Sequence, residues 1–282
     1  MNKELEVVIE IIKQAWEIVL KYRWWNELNT KYKLDHFDPV TQADLESENF
    51  IKSKIQEKFP NDKILGEETE NKLANFDWRV WMIDPLDWTK DFVWGGDRYS
   101  VMIWLCVDGD PELWVVFSPS NGDLYYAQKW NWAYFLNLKK QLTPQKIETS
   151  KIDKVEEVVY FTKSKFSEKR LTNERIEESF PFKEIFDWWS VGIVVGEIPR
   201  WVGDCYILTN KRACKWGSCA PQIILQEAWG KITDVFWNNI NYLDWTEKLP
   251  NLLVVTNGKI HEKIIEKTKE IFKDSSLFYI LE

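Results

Sequence analysis

Apolar residues at Leu5, Val8, Ile9, Ile12, Trp16 and Val19 recur at three- and four-residue intervals, which predicts an amphipathic helix from Leu5 to Leu20. A second helical pattern runs from Gln42 to Phe59, with Leu45, Phe50, Ile51 and Ile55 on its inward face and Pro60 ending it. The polar stretch between them, around Asn26 to Asp38, reads as a loop. The period then shortens to that of strands. A short run, Val80 to Ile83, precedes a cluster at Ser100 to Val107, Leu113 to Phe117, Leu124 to Gln128 and Ala133 to Leu136. Asp108-Gly109-Asp110-Pro111 and Pro119-Ser120-Asn121-Gly122 supply turns. Helices covering an antiparallel sheet are expected here.

After the polar stretch Lys139 to Lys154 the pattern alternates. Strand-like Val158 to Phe161 leads to a helical segment at Glu168 to Ser179, then Glu184 to Phe186, then an apolar helix at Val191 to Ile198. A strand at Cys205 to Leu208, a helix at Ala220 to Ala228, a strand at Leu252 to Val255 and a helix at Ile260 to Phe272 follow. Such alternation predicts an α/β half. Two domains are expected, 1–148 and 149–282.

Composition narrows the function. A net charge of −8 argues against a surface that coats nucleic acid, because a phosphate backbone recruits Lys and Arg. A small anionic substrate remains compatible if a metal supplies the local positive charge. The apolar runs are too short and interrupted for a membrane span or a signal peptide. Four cysteines form no disulfide framework, and two histidines without a CxxC pair do not suggest zinc. A cytoplasmic protein without membrane or nucleic-acid partners is expected.

Four acidic positions carry the chemistry. Gly66-Glu67-Glu68 follows the apolar pair Ile64-Leu65, and Asp84-Pro85-Leu86-Asp87-Trp88-Thr89-Lys90-Asp91-Phe92 ends a buried strand with two carboxylates three residues apart. Proline cannot donate to a ladder, so a turn is expected at Pro85, leaving Asp84, Asp87 and the Leu86 carbonyl facing one point. Carboxylates with a carbonyl are hard oxygen ligands, suited to Mg²⁺. Taken alone, the tetrapeptide also reads as an Asp-Pro turn followed by a helix cap. Asp44 likewise reads as a first-turn helix charge, and Thr89 as an N-cap.

The wider pattern favours the metal. Asp38-Pro39-Val40-Thr41-Gln42-Ala43-Asp44, Gly66-Glu67-Glu68 and the Asp84–Phe92 run resemble, in order and spacing, the motifs of the inositol monophosphatase superfamily of Mg²⁺-dependent, lithium-sensitive phosphomonoesterases. Lys215-Trp216-Gly217-Ser218-Cys219-Ala220-Pro221 looks like that family's WDxxA motif. The Lys90-Asp91 pair and the Trp216–Pro221 stretch are most similar to 3′(2′),5′-bisphosphate nucleotidases. The resemblance implies an α/β layered sandwich of the sugar-phosphatase kind, with metals in the cleft between its halves and a homodimer as a possible assembly. It implies that Glu67, Asp84 and the Leu86 carbonyl hold one Mg²⁺ and that Asp84 and Asp87 share a second. Thr89, polarised by Asp44, would position and deprotonate the attacking water. The backbone at Trp88 would approach the phosphate. Phe161-Thr162-Lys163-Ser164-Lys165-Phe166-Ser167 resembles the nucleotidases' Thr-x-Arg-Ser-His loop, so Thr162, Lys163 and Lys165 would grip the phosphate that is not cleaved, although the same residues also read as a solvated basic loop. The implied reaction removes the 3′-phosphate of adenosine 3′,5′-bisphosphate. The alternatives are an inositol monophosphatase and a metal-poor binder of phosphorylated ligands.

Two departures stand out. Gly217 occupies the position of an aspartate that completes the second metal site in the family. Tryptophan stands at family glycine positions 16, 88, 114, 130, 132, 189, 229 and 237. The chain has 18 Trp and only 11 Gly. Counting those eight as glycine restores a share of roughly 7%, the usual one. Decoding of UGA as glycine would produce this substitution pattern, although it leaves Gly217 unexplained.

Overall fold

The structure is a computed structural model that describes residues 3–23, 29–33, 39–68, 73, 77–140, 143–162, 170–188, 190–209, 222–240, 242 and 252–274. Helix α1 (Lys3–Arg23) opens the chain, and β1 (Lys31–Tyr32), within the stretch read as a loop, pairs with β2 (Pro39–Val40) just after it. Helix α2 (Gln42–Lys58) follows. Next come β3 (Lys63–Gly66), β4 (Arg79–Asp87), α3 (Thr89–Val93), β5 (Ser100–Val107), β6 (Asp110–Ser118), β7 (Asp123–Gln128), β8 (Ala133–Asn137) and β9 (Gln145–Ile147). These strands form a seven-stranded sheet in the order β3-β4-β5-β6-β7-β8-β9. It is not wholly antiparallel as expected: β3 runs parallel to β4, and the connection of residues 67–78 has the length that a crossover between parallel strands needs.

The second half holds β10 (Val159–Thr162), α4 (Arg170–Ser179), β11 (Glu184–Asp187), α5 (Val191–Glu197), β12 (Cys205–Leu208), α6 (Gln222–Glu227), β13 (Lys231–Asp234), β14 (Leu253–Thr256) and α7 (His261–Phe272). Its five strands pair in the order β11-β10-β12-β14-β13, with β14 antiparallel to both neighbours. Strand β13 escapes the sequence reading because Lys231-Ile232-Thr233-Asp234 carries a single large apolar residue.

Alternation along β4 shows how the layers stack. Trp81 and Ile83 face α1 and α2, whereas Val80 and Met82 face the other way into a core shared with α5, α6 and the five-stranded sheet. A third apolar cluster, including Tyr160, Ile207, Val254, Ile264 and Ile265, joins the far side of that sheet to α7. The layers therefore run helix, sheet, helix, sheet, helix. Each inward Val, Leu or Ile contributes about 1.5–3 kcal/mol by leaving water.

Two expectations need correction. Leu45 does not face inward; it is exposed, while Ala43, Asp44, Ser47, Glu48, Ile51 and Ile55 form the buried face of α2. The helix is rotated so that two acids meet the sheet. Nor does the ladder stop at Pro85. Strand β4 continues to Asp87, with a shift in register between Asp84, opposite Met102, and Asp87, opposite Ser100. A bulge absorbs the residue that cannot donate.

Candidate active site

The bulge positions the two aspartates. Three steps along β4 normally place side chains on opposite faces, but here they span only the two steps from Met102 to Ser100. One residue is therefore extra, and Asp84 and Asp87 point to the same side, toward α5. Asp84 is buried, with Oδ1 accepting the Leu86 N–H at 3.1 Å. Burial, then the charges of Glu67 and Asp87, push its carboxyl well above the usual carboxylate range. Asp87 Oδ2 accepts the Ser190 hydroxyl at 2.5 Å, and Ser190 also caps α5 by accepting the Ile193 N–H at 3.3 Å.

Asp44 divides its two oxygens between structure and chemistry. Oδ2 accepts the Thr41 N–H at 2.8 Å and the Thr41 hydroxyl at 2.6 Å, completing a capping box at the start of α2. Oδ1 accepts the Thr89 hydroxyl at 2.9 Å. That hydroxyl is also 2.9 Å from the Leu86 carbonyl. Thr89 is the first residue of α3 rather than its cap; the cap position belongs to Trp88, which offers no capping side-chain bond. Burial pushes the Asp44 carboxyl up to about 6, against the lowering effect of its three hydrogen bonds. Such a group is ionised near neutrality and basic enough to take a proton.

Three side chains that the sequence did not single out complete the arrangement. Lys33 bridges Glu67 at 3.0 Å and Glu68 at 2.7 Å. Burial opposes its charge, but the two carboxylates outweigh that and raise its pKa. Glu48, one helical turn after Asp44 on the same buried face, accepts the Glu68 N–H at 2.7 Å. A Cβ at Gly66 would lie 2.4 Å from its carboxyl carbon, so any side chain there would push this buried carboxylate aside. Ser190 is the third. The i, i+4 spacing of Asp44 and Glu48 was the available signal; the partners of Lys33 and Ser190 are too distant in sequence to be read.

Among the described residues no three His, Cys, Asp or Glu side chains are drawn together closely enough to hold an ion as they stand. The donor chemistry nevertheless fits a hard cation. Glu67, Asp84 and Asp87 are mutually repelling carboxylates, and a lysine ammonium already stands against Glu67 as a counter-ion. Glu67, Asp84 and Asp87 would supply carboxylate oxygens to such an ion, and the Leu86 carbonyl a neutral one.

Other expected site residues fall elsewhere. The Thr162 hydroxyl donates to Glu177 at 2.6 Å, fastening β10 to α4, so in this conformation it is committed to a side chain. Lys163, Lys165 and Gly217 lie outside the described residues, as does Trp189. Lys90 and Asp91 are both buried: the Lys90 ammonium sits over the Trp94 ring at 4.5 Å, and Asp91 accepts the Arg98 N–H at 2.7 Å. That pair builds the turn after α3.

A carboxylate-lined bulge thus lies beside a threonine hydroxyl held by a buried aspartate, and the relatives of the chain are phosphatases. The chain matches the Inositol monophosphatase family over residues 1–273 and belongs to it. It is a phosphatase of that superfamily, whose enzymes are Mg²⁺-dependent. A histidinol-phosphatase of Chlorobaculum parvum is 28% identical over 242 residues, covering 82% of this chain and 85% of the relative. The 3′(2′),5′-bisphosphate nucleotidase CysQ of Haemophilus influenzae is 27% identical over 228 residues, covering 79% and 81%. The solved structure of a Thermotoga maritima IMPase superposes with a TM-score of 0.81 at 24% identity, covering 97% of this chain and 99% of that one, which establishes the layered α/β fold.

Proposed function

We propose that the chain removes the 3′-phosphate of adenosine 3′,5′-bisphosphate with the help of Mg²⁺. The observation that carries the hydrolytic reading is the chain of hydrogen bonds from Thr89 to Asp44, set beside Asp84 and Asp87. Glu67, Asp84 and the Leu86 carbonyl would hold one Mg²⁺, and Asp84 with Asp87 a second. Bound there, the cations supply Lewis-acid charge to the phosphoryl oxygens. Thr89 Oγ1 accepts a hydrogen bond from the attacking water while donating its own proton to Asp44 Oδ1. As the water oxygen bonds to phosphorus and the P–O3′ bond breaks, the water proton passes to Thr89 and the threonine proton to Asp44, while the nucleoside 3′-oxygen departs with the bonding pair and takes a proton from solvent. The capping box holds Asp44 in the orientation this relay needs.

The nucleotidase assignment is supported by the CysQ relative and by the Thr162–Ser167 motif; the buried Lys90-Asp91 pair lends it nothing. Histidinol phosphate is the second reading, favoured by the Chlorobaculum relative at comparable identity. Phosphate release should be measured under Mg²⁺ with adenosine 3′,5′-bisphosphate, histidinol phosphate and inositol 1-phosphate, in a chain carrying Trp88→Gly. Highest kcat/KM for the nucleotide is expected. Faster turnover of either other substrate would overturn the assignment.

A further inference from the structure

Among the described residues, nine that are not glycine hold positive φ. Two are Asn29 and Asp108, residue types that tolerate the left-handed region. The other seven are all tryptophan: Trp78 (66°), Trp88 (71°), Trp130 (66°), Trp132 (61°), Trp201 (64°), Trp229 (71°) and Trp237 (71°). In that region the Cβ crowds the following carbonyl, so a bulky residue there is an outlier. Glycine alone adopts it freely.

Burial does not offset the strain at four of the seven, although Trp201 donates its indole N–H to the Glu148 carbonyl at 2.7 Å. Trp130 is 87% exposed, Trp201 67%, Trp229 65% and Trp78 57%, so most of each ring lies in water. The positions are those where chains ordinarily use glycine. Trp130 and Trp132 form the β7–β8 turn, with both N–H groups donating to Glu227. Trp229 follows α6, and Trp201 ends a short 3₁₀ turn. Trp88 precedes Thr89 in the candidate site. Trp78 and Trp201 were not among the positions suspected from sequence; Trp16 and Trp114 were, yet their helical and strand backbones demand no glycine.

A tryptophan that is buried and has an ordinary strand backbone looks different. Trp81 is fully buried in β4, stacks on Phe59 at 5.0 Å and donates its indole N–H to Asp62 at 2.7 Å. Two populations therefore share one residue name.

We infer that residues 78, 88, 130, 132, 201, 229 and 237 are glycine in the working protein, inserted at UGA codons, whereas Trp81 is encoded by UGG. A scatter of independent mutations would not select backbone positions that so strongly favour glycine. A single codon with two readings does so: UGA differs from the glycine codon GGA only in its first base and from UGG only in its last. Glycine at 88 also removes an indole from between Asp87 and Thr89. The exposed tryptophans of the β7–β8 turn and of the segment after α6 are then turns, not a docking surface.

The test reads the gene's codons and the masses of peptides spanning these positions in protein isolated from its own cells. UGA at all seven, UGG at 81, and peptides lighter by the difference between an indolylmethyl group and hydrogen are expected. UGG at the seven, or peptides carrying the indole, overturns the inference. A second measurement compares melting of the full chain with tryptophan and with glycine at the seven positions. The glycine chain should melt about 10 °C or more higher. An equal or lower midpoint contradicts the strain on which the inference stands. Neither readout depends on phosphatase activity.

Discussion

Asp44→Asn isolates the proton relay from the structure that supports it. The carboxylate accepts three hydrogen bonds, two from Thr41 and one from Thr89. An amide in its place offers one oxygen and one NH₂ group. Turned with its oxygen toward Thr41, it keeps the capping box, and the NH₂ group then meets the Thr89 hydroxyl. That hydroxyl can swing its proton wholly onto the Leu86 carbonyl, 2.9 Å away, and accept from the amide. One amide N–H is satisfied in this way and the other is left over, so the stability loss should be about 1–3 kcal/mol, the size of one unsatisfied buried donor. The relay, however, loses its acceptor. General-base catalysis is worth about 10²–10⁴ in rate, or roughly 3–5 kcal/mol of barrier. Phosphate release at saturating Mg²⁺, measured in the Trp88→Gly background, should fall by that factor with little change in KM. Thr89→Ala should fall similarly, and the double variant should fall little further, because two members of one relay act as a unit. Losses that multiply, or an Asp44→Asn chain that keeps its turnover while melting normally, would refute the relay.

Gly66→Ala should disturb the site from behind. Its Cβ would press on the Glu48 carboxylate that holds the Glu68 N–H, so the chain should lose about 1–3 kcal/mol in a urea melt and need more Mg²⁺ for half-maximal rate. His261 should make stability depend on pH. Its ring is buried between Thr233 and Thr256, each 2.9 Å away, and burial, then the Lys231 charge, push its pKa from 6.5 down to about 4. The unfolded chain therefore binds a proton that the folded one refuses between those values. Stability from this group is complete above about pH 6.5 and is lost as pH falls toward 4, by up to about 3 kcal/mol. Buried carboxylates such as Asp44 act in the opposite sense over the same range, so the check is the difference between the parent chain and His261→Gln in urea melts at pH 7 and 4.5: the variant should lose less stability, or gain more, on acidification.

The elements that build one face of a layer were legible, because a period of two or 3.6 survives wherever half the residues must be buried. The ends of the site were less so. That Asp84 and Asp87 converge was readable from their spacing around Pro85, but the means was not: a turn was expected, and a bulge keeps both residues on the ladder. Thr89 and Asp44 each read as a cap or a helix charge. For Asp44 that reading holds for one oxygen, while the other serves Thr89. Leu45 misled because an apolar residue on a helix with two buried acids need not mark the inward face. Thr162 sits at the end of its strand as expected, but its hydroxyl goes to Glu177, and no local pattern announces a partner 15 residues away. The tryptophan excess was visible as a count; only the backbone separates the strained positions from the sound ones.

The most direct test of a metal-dependent hydrolytic centre is a Mg²⁺ titration of phosphate release from adenosine 3′,5′-bisphosphate by the Trp88→Gly chain and its Asp84→Asn partner, with ion binding followed in parallel by calorimetry. Rate should rise from near zero to saturation with Mg²⁺ and vanish with a chelator. Asp84→Asn should weaken ion binding and lower the rate together, since that carboxylate would serve both cations. Unchanged ion binding and an unchanged Mg²⁺ dependence in Asp84→Asn would show that the carboxylates only build the bulge.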